Sequence, residues 1–161
     1  MNSIQRLQKN KTQFENSFIL EKEEFQKNAN FIYQQWKAVN IKGWNTKILD
    51  IGHGEPIIFV PICRGLEAFD SLLIQHFVKT HRVITFERRE NEDQILDRQS
   101  RAGDIKQILD YLNVKKAHFI SHSSGSVATT TLALELPSLF LSYVWMSLSP
   151  KPVMDLVWWK K

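Results

Sequence analysis

The sequence predicts an α/β fold, with a mostly parallel sheet that carries helices on both faces. Short, almost continuously apolar runs, such as PIIFVP and RVITF, alternate with longer amphipathic segments. Such runs are typical of strands buried on both faces, and their alternation with helices is typical of parallel sheets. With 161 residues, of which 43% are hydrophobic, the chain can form one domain with a substantial core. Functional groups are then expected at the carboxyl ends of the strands, where open α/β sheets form their crevice.

Two parts precede this alternation. Residues 1–35 are rich in Lys, Gln, Asn and Glu, with large apolar residues at helical spacing, and they predict a helical extension. The main domain is predicted over residues 36–161. Its first segment, KAVNIKGWNTKILDIG, has β-branched residues in alternation on both sides of Gly43, which predicts two short strands joined in a hairpin.

From Pro56 onward the predicted elements follow one another regularly. The strands are PIIFVP, RVITF, AHFI and YVWMSL, and the helices are LEAFDSLLIQHFVK, ILDRQSRAGDIKQILDYL and the segment that follows Ser123. The strand YVWMSL has no predicted strand after it. An apolar edge of this kind invites pairing with another polypeptide chain, so a protein partner at this edge is expected.

Composition and charge argue against several classes of protein. The formal net charge is +4, but Lys and Arg are scattered through the chain, so nucleic-acid binding is not expected. A single cysteine, Cys63, excludes an internal disulfide and a Cys-rich metal site. The start of the chain has no apolar core of a secretory signal, and no apolar stretch approaches the roughly 18 to 20 residues of a membrane span. We therefore expect a cytoplasmic protein that does not enter a membrane.

One short stretch has the pattern of a catalytic turn. After AHFI the chain reads Ser121-His122-Ser123-Ser124-Gly125, which places small residues two positions on either side of Ser123. A nucleophilic serine on a sharp strand-to-helix turn requires such neighbours, because larger side chains would collide with the crossing backbone. The helix that follows directs its amino end at the serine, where its free N–H groups and dipole can stabilise negative charge.

The chain from about Trp36 to Pro152 resembles the amino-terminal half of an α/β-hydrolase, so a truncated domain of that fold is expected. Apart from the serine turn, the resemblance depends on an ordered set of landmarks: Gly52-His53-Gly54-Glu55-Pro56, Glu87-Arg88-Arg89, the helix Asp104–Leu112, Ala133, Pro137 and Ser147-Leu148-Ser149-Pro150. This resemblance implies hydrolysis of an ester, amide or related bond in a small-molecule substrate. It implies no metal and no organic cofactor.

The resemblance also assigns roles to individual residues. Ser123 would be the nucleophile, in an elbow formed with Ser121, His122 and Gly125. The backbone N–H groups of Ser124 and Cys63 would form the oxyanion hole.

The loop after the first parallel strand departs from the family's pattern. Where the family usually has His-Gly, this chain has Pro61-Ile62. Proline has no N–H, and the loss of a flexible glycine can close or reshape the oxyanion hole.

The general base of the family has no counterpart at its expected place. A serine hydroxyl needs a base to take its proton, and in this family the order along the chain is Ser, then Asp or Glu, then His. All five histidines precede Ser123: His53, His76, His81, His118 and His122. His122 is next to the serine, but neighbouring side chains on a strand point to opposite faces. Asp155 stands where some family members have their acid, yet without a histidine it has nothing to orient.

Three interpretations remain open at the level of sequence. The chain is an inactive fragment, or it is one half of a split hydrolase that a second chain completes, or it is a non-enzymatic binding module that uses the old crevice. Retention of a strained turn favours the first two, because a purely structural role gives no reason to keep the strain.

Overall fold

A single six-stranded sheet forms the centre of the computed structural model, which describes residues 23–24, 26–62, 70–89 and 96–146. In chain order its strands are β1 (Lys37–Ile41), β2 (Trp44–Ile51), β3 (Pro56–Val60), β4 (Arg82–Phe86), β5 (Ala117–His122) and β6 (Phe140–Met146). They lie side by side in the order β1-β2-β4-β3-β5-β6. The hairpin of β1 and β2 is antiparallel and joins β4 in antiparallel register, while all other pairs are parallel. The predicted mostly parallel α/β fold is confirmed.

Helices cover both faces of this sheet. Residues 26–33 are helical and form α1, and they are followed by α2 (Ser71–Phe77), α3 (Arg98–Tyr111), α4 (Ser124–Glu135) and a short 3-10 helix at Pro137–Leu139. Helices α3 and α4 bury Ile105, Ile108 and Leu132 against one face. Helices α1 and α2 bury Ile32 and Ile74 against the other. The domain boundary after residue 35 stays a prediction.

Three element boundaries differ from those read in the sequence. Helix α2 (Ser71–Phe77) ends two residues before the end of the helix expected over residues 66–79, and residues 66–69 of that expected helix lie outside the described residues. Strand β5 continues past AHFI to His122, so the serine turn begins directly at the strand's carboxyl end. Strand β6 begins three residues earlier than expected, at Phe140. Cys63, Asp155 and residues 147–152 lie outside the described residues.

Within the described sheet, β6 is an edge strand with an apolar surface. Leu141, Val144 and Trp145 are 42%, 48% and 55% exposed. The strand is paired with β5 on one side, through a register that includes one irregularity near its start. No other described strand pairs with its second edge, where the backbone is flanked by apolar side chains.

Candidate active site at the turn between β5 and α4

Ser123 lies between the end of β5 and the start of α4 in an unusual backbone conformation. Its φ is 48° and its ψ is −119°. A conformation of this kind costs a non-glycine residue about 1 to 3 kcal/mol, so it persists only where surrounding contacts impose it. Here the N–H of Ser123 donates to the carbonyl of Met146 at 3.0 Å, and its own carbonyl accepts from the N–H of Ser126 at 3.0 Å. The turn is thereby tied to β6 and to the first turn of α4.

Gly125 allows α4 to approach the end of β3. A Cβ atom at this position would lie 2.7 Å from the carbonyl oxygen of Val60 and 2.8 Å from that of Pro61. Both distances are below any ordinary contact of a methyl group with oxygen. A side chain at residue 125 would therefore push α4, and Ser123 with it, away from the end of the sheet.

Ser121 occupies the position at which the elbow motif usually has glycine, and its hydroxyl is accommodated by polar partners. The residue is fully buried. Its Oγ lies 3.0 Å from Oγ of Ser126 and 2.8 Å from the hydroxyl of Tyr143. The Tyr143 hydroxyl also donates to the carbonyl of Ser126 at 3.1 Å. Sequence reasoning missed both partners, because a tyrosine in β6 carries no local signal of a contact with β5.

Ser124 is the first residue of α4. At this position a backbone N–H has no acceptor within its own helix, and it lies at the positive end of the helix dipole. The N–H of Ser124 therefore lies at the positive end of α4, next to Ser123. The second predicted donor, Cys63, lies outside the described residues, but Pro61 and Ile62, which precede it, are described.

Arg88 connects these two segments, and sequence reasoning gave it no role of its own. Its side chain is buried, with 8% of the residue exposed. One terminal nitrogen, Nη1, donates to the carbonyl of Ile62, lies 3.5 Å from the carbonyl of Pro61 and donates to Oγ of Ser124 at 3.2 Å. The hydroxyl of Ser124 in turn donates to the carbonyl of Ile62. The guanidinium group therefore joins the end of β3 to the start of α4.

Arg89, the next residue, is oriented toward α3. Its Nη2 forms an ion pair with Asp104 at 3.1 Å, and the Asp104 side chain is almost completely buried. Arg88, Arg89 and Asp104 border a cavity of about 10 Å³ beside Gly125. A cavity of this size has room for about one water molecule.

His122 and Asp70 form a second polar feature near the turn. His122 is the last residue of β5 and is partly buried. Asp70 immediately precedes α2 and is 7% exposed. Burial raises the pKa of the Asp70 carboxyl above its ordinary value, and the nearby His122 charge acts in the opposite direction. Asp70 could not be identified from the sequence, because it is far from His122 along the chain and only the fold brings the two side chains near each other.

The other histidines lie away from Ser123. His53, His81 and His118 lie just before or at the amino ends of β3, β4 and β5. The turn at Ser123 follows the carboxyl end of β5, on the opposite side of the sheet. Nε2 of His118 lies 3.3 Å from a carboxylate oxygen of Glu55 near these amino ends. His76 is on the exposed side of α2. Among the described residues, no histidine therefore stands where it could accept the proton of Ser123 in the family's manner.

Two further observations concern only the part of the chain that the structure describes. No group of three or more His, Cys, Asp or Glu side chains is arranged to hold a metal ion there. None of the described helices has the length and apolar character needed to cross a membrane.

Comparison with known proteins shows that the structure of this chain is similar to several solved structures. No family model and no curated protein matches the chain. A meta-cleavage product hydrolase from Pseudomonas fluorescens superposes with a TM-score of 0.64 at 24% identity, over 74% of this chain and 47% of its own. An enzyme that degrades N-acyl homoserine lactones gives 0.62 at 23% identity, over 70% of this chain and 45% of its own.

An epoxide hydrolase gives a TM-score of 0.63 at 16% identity, over 71% of this chain and 42% of its own. The chain therefore spans less than half the length of the solved structures that it resembles. These structures are enzymes of one fold. Over about 70% of its length, this chain has the α/β-hydrolase fold.

Proposed function

We propose that this chain supplies the nucleophilic half of a serine hydrolase, with Ser123 as the nucleophile. The observation that carries the proposal is the backbone of Ser123, with φ 48° and ψ −119° at the junction of β5 and α4. A strained serine at this place does not stabilise the fold. The same strain exposes the hydroxyl of a nucleophile and places it next to the amino end of a helix. The lactone and epoxide substrates named for two of the similar enzymes support a small-molecule substrate with an electrophilic carbon.

The proposed reaction on an ester has two steps. Oγ of Ser123 attacks the carbonyl carbon, its proton passes to a base, and the carbonyl electron pair moves to the oxygen. The N–H of Ser124 stabilises this oxyanion, with Cys63 as the second proposed donor. The alcohol leaves after it has taken a proton, and water then cleaves the acyl-serine bond in the same way. No metal or organic cofactor takes part.

The base and its acid come from another source in this proposal. All five histidines of the sequence precede Ser123. They lie near the amino ends of the strands, on α2 or at the end of β5. We propose that groups outside residues 1–161 supply both, either on a second polypeptide or on further residues of the same protein, and that residues 1–161 alone react slowly. Imidazole in solution can replace a missing histidine side chain, because it is the same base without its tether.

The test is covalent labelling of Ser123 by a fluorophosphonate, followed by intact-mass analysis at increasing imidazole concentration. We expect a single adduct whose rate of formation rises about tenfold or more with imidazole. Peptide mapping should place the adduct on Ser123. Circular dichroism is recorded on each sample, so that only folded protein is scored.

Two variants complete this experiment. Ser123→Ala should give no adduct, and Ser138→Ala, which alters an exposed serine of the 3-10 helix, should behave as the unaltered chain. The proposal fails if the folded protein gives no adduct at any imidazole concentration. It also fails if the adduct persists in Ser123→Ala.

A binding role is the second candidate, and the surface of β6 favours it. Val144 and Trp145 are both about half exposed on this edge strand. A module that only binds other proteins would use this surface and leave Ser123 unreactive. Folded protein that is inert to the fluorophosphonate, with and without imidazole, is the result expected for that role.

A further inference from the structure

We infer that Arg88 is a positioning residue that fixes the oxyanion-binding region of this site. The inference rests on the proposed role of Ser123, and it concerns the loop after β3 and the first turn of α4. Arg88 is assigned no contact with the substrate. Its function is to hold the two backbone segments that flank Ser123 in one relative position.

The hydrogen bonds of a single nitrogen carry this inference. Nη1 of Arg88 donates to the carbonyl of Ile62 and to Oγ of Ser124, and it also approaches the carbonyl of Pro61. Pro61 and Ile62 belong to the loop after β3, and Ser124 belongs to α4. A guanidinium donates several hydrogen bonds from one rigid plane, so it can hold both segments at a fixed separation.

The sequence of the loop explains why such a residue is needed. With Pro61 in place of a residue that has an N–H, and Ile62 in place of glycine, the loop is stiffer and has one donor fewer. Its carbonyl groups are nevertheless directed into the protein, where Pro61 is buried. Buried carbonyl groups need donors, and the charged guanidinium supplies strong ones.

Electrostatics adds to the effect of position. The Arg88 side chain carries a positive charge that is largely removed from water, and it touches the hydroxyl of the residue whose N–H is the proposed first oxyanion donor. A buried charge interacts more strongly with nearby groups than an exposed one. Negative charge that develops beside Ser123 would therefore be favoured by the same side chain that holds the loop.

The first test does not depend on catalysis. Amide hydrogen exchange is measured in Arg88→Ala and in the control Arg98→Ala, which removes an exposed arginine at the start of α3. In Arg88→Ala we expect about fivefold or faster exchange at the hydrogen-bonded amides of Ser123 and Ser126, which lie on either side of Ser124, with unchanged exchange in the hairpin of β1 and β2. The control should show no local change.

Chemical rescue separates positioning from general stability. Millimolar guanidinium chloride should slow exchange at these amides again in Arg88→Ala, because the free ion can occupy the space of the lost side chain. An equal concentration of sodium chloride should not. A protein that is merely destabilised would gain nothing from guanidinium, which is a denaturant.

The second test measures labelling of Ser123 in the presence of imidazole. Arg88→Ala should react about tenfold more slowly than the unaltered chain, with partial recovery in guanidinium chloride. If the unaltered chain labels and Arg88→Ala labels equally fast, the inference about Arg88 is wrong and the proposed function stands. If the unaltered chain does not label, the proposed function fails, and the exchange experiment alone decides the role of Arg88.

One further variant covers a failure of Arg88→Ala to fold. Ser124→Ala removes only the helix partner of the guanidinium and keeps the backbone N–H. It should still accelerate exchange at the amides of Ser123 and Ser126. Exchange identical to that of the unaltered chain, in whichever of the two variants folds, overturns the inference.

Discussion

Gly125 and Gly103 are both helical glycines, yet their surroundings give them opposite roles. A Cβ at Gly125 would lie within 2.8 Å of two carbonyl oxygens at the end of β3, whereas a Cβ at Gly103 meets nothing within 4 Å. The first glycine is required by close packing next to the proposed nucleophile. The second is an ordinary weak point in the interior of α3.

The two glycines predict opposite effects of substitution by alanine on the free energy of unfolding. Gly125→Ala should lower the free energy of unfolding by about 1 to 3 kcal/mol, because the backbone must move to relieve the overlap. Gly103→Ala should raise it by about 0.5 to 1 kcal/mol, because alanine is the better helix former. Urea unfolding measures both. Equal effects of the two substitutions would show that the approach of α4 to β3 is not tight.

The burial of the Asp70 carboxyl predicts that the stability of the folded protein depends on pH. Burial raises the pKa of Asp70 in the folded protein, so the folded state holds this proton more tightly than the unfolded chain does. The contribution of Asp70 to stability is therefore most favourable at pH values below its ordinary pKa, and it is lost as the pH rises through the raised pKa.

Asp70→Asn should accordingly be more stable than the unaltered chain at pH 7, with a higher Tm. The difference should shrink toward zero near pH 3, where the aspartate of both states is protonated. Differential scanning calorimetry across this range tests it. A constant difference in Tm at all pH values would mean that the burial of the charge does not determine the stability of this site.

At the scale of elements, the turn between β5 and α4 depends on β6. The N–H of Ser123 donates to Met146 at the end of β6, and Tyr143 in the middle of that strand reaches Ser121 and Ser126. These contacts lie on both sides of Ser123 along the chain. The geometry of the turn is therefore set by three elements and not by its own sequence alone.

A double-mutant cycle tests the contact between β5 and β6. Tyr143→Phe and Ser121→Ala should each lower the free energy of unfolding by about 1 kcal/mol, and the double variant should lose clearly less than their sum. Tyr111→Phe is the matched control, since Tyr111 is 49% exposed on α3, and it should change stability little. Strict additivity in the cycle would exclude a direct interaction of the two hydroxyl groups.

These elements also show which features a sequence can reveal. The strand, turn and helix around Ser123 were predictable, because small residues at fixed spacing reflect a local backbone requirement. Arg88, Asp70 and Tyr143 were not assigned their contacts. Their partners lie far away along the chain, and only the order of the strands brings them together.

At the scale of the whole molecule, the two edges of the described sheet differ in the strands and side chains that form them. On one side it ends in the β1–β2 hairpin, and on the other it ends in β6 with its exposed apolar side chains. Unprotected apolar edges pair readily with other chains. Self-association of the isolated chain is therefore expected, and so is competition between self-association and any natural partner.

Val144→Lys should reduce this self-association, because a charged side chain on an edge strand opposes strand pairing. The weight-average mass by light scattering should fall toward that of the monomer, with a change in unfolding free energy of at most about 0.5 kcal/mol. Leu72→Lys is the control, since it places the same charge on the exposed side of α2. Equal improvement from both substitutions would indicate a general effect of charge.

The order of the strands has a consequence for the synthesis of the chain. Strand β3 lies between β4 and β5, and both follow it in the sequence, so β3 has neither neighbour while it is being made. The end of β3 meets Gly125 only after β5 has been translated, and the acceptor of the Ser123 N–H, Met146, is made later still. Long-range pairing of this kind is slow. The turn that holds Ser123 is therefore among the last parts of the described chain to take shape, so a nascent chain without β6 carries the serine but not its geometry.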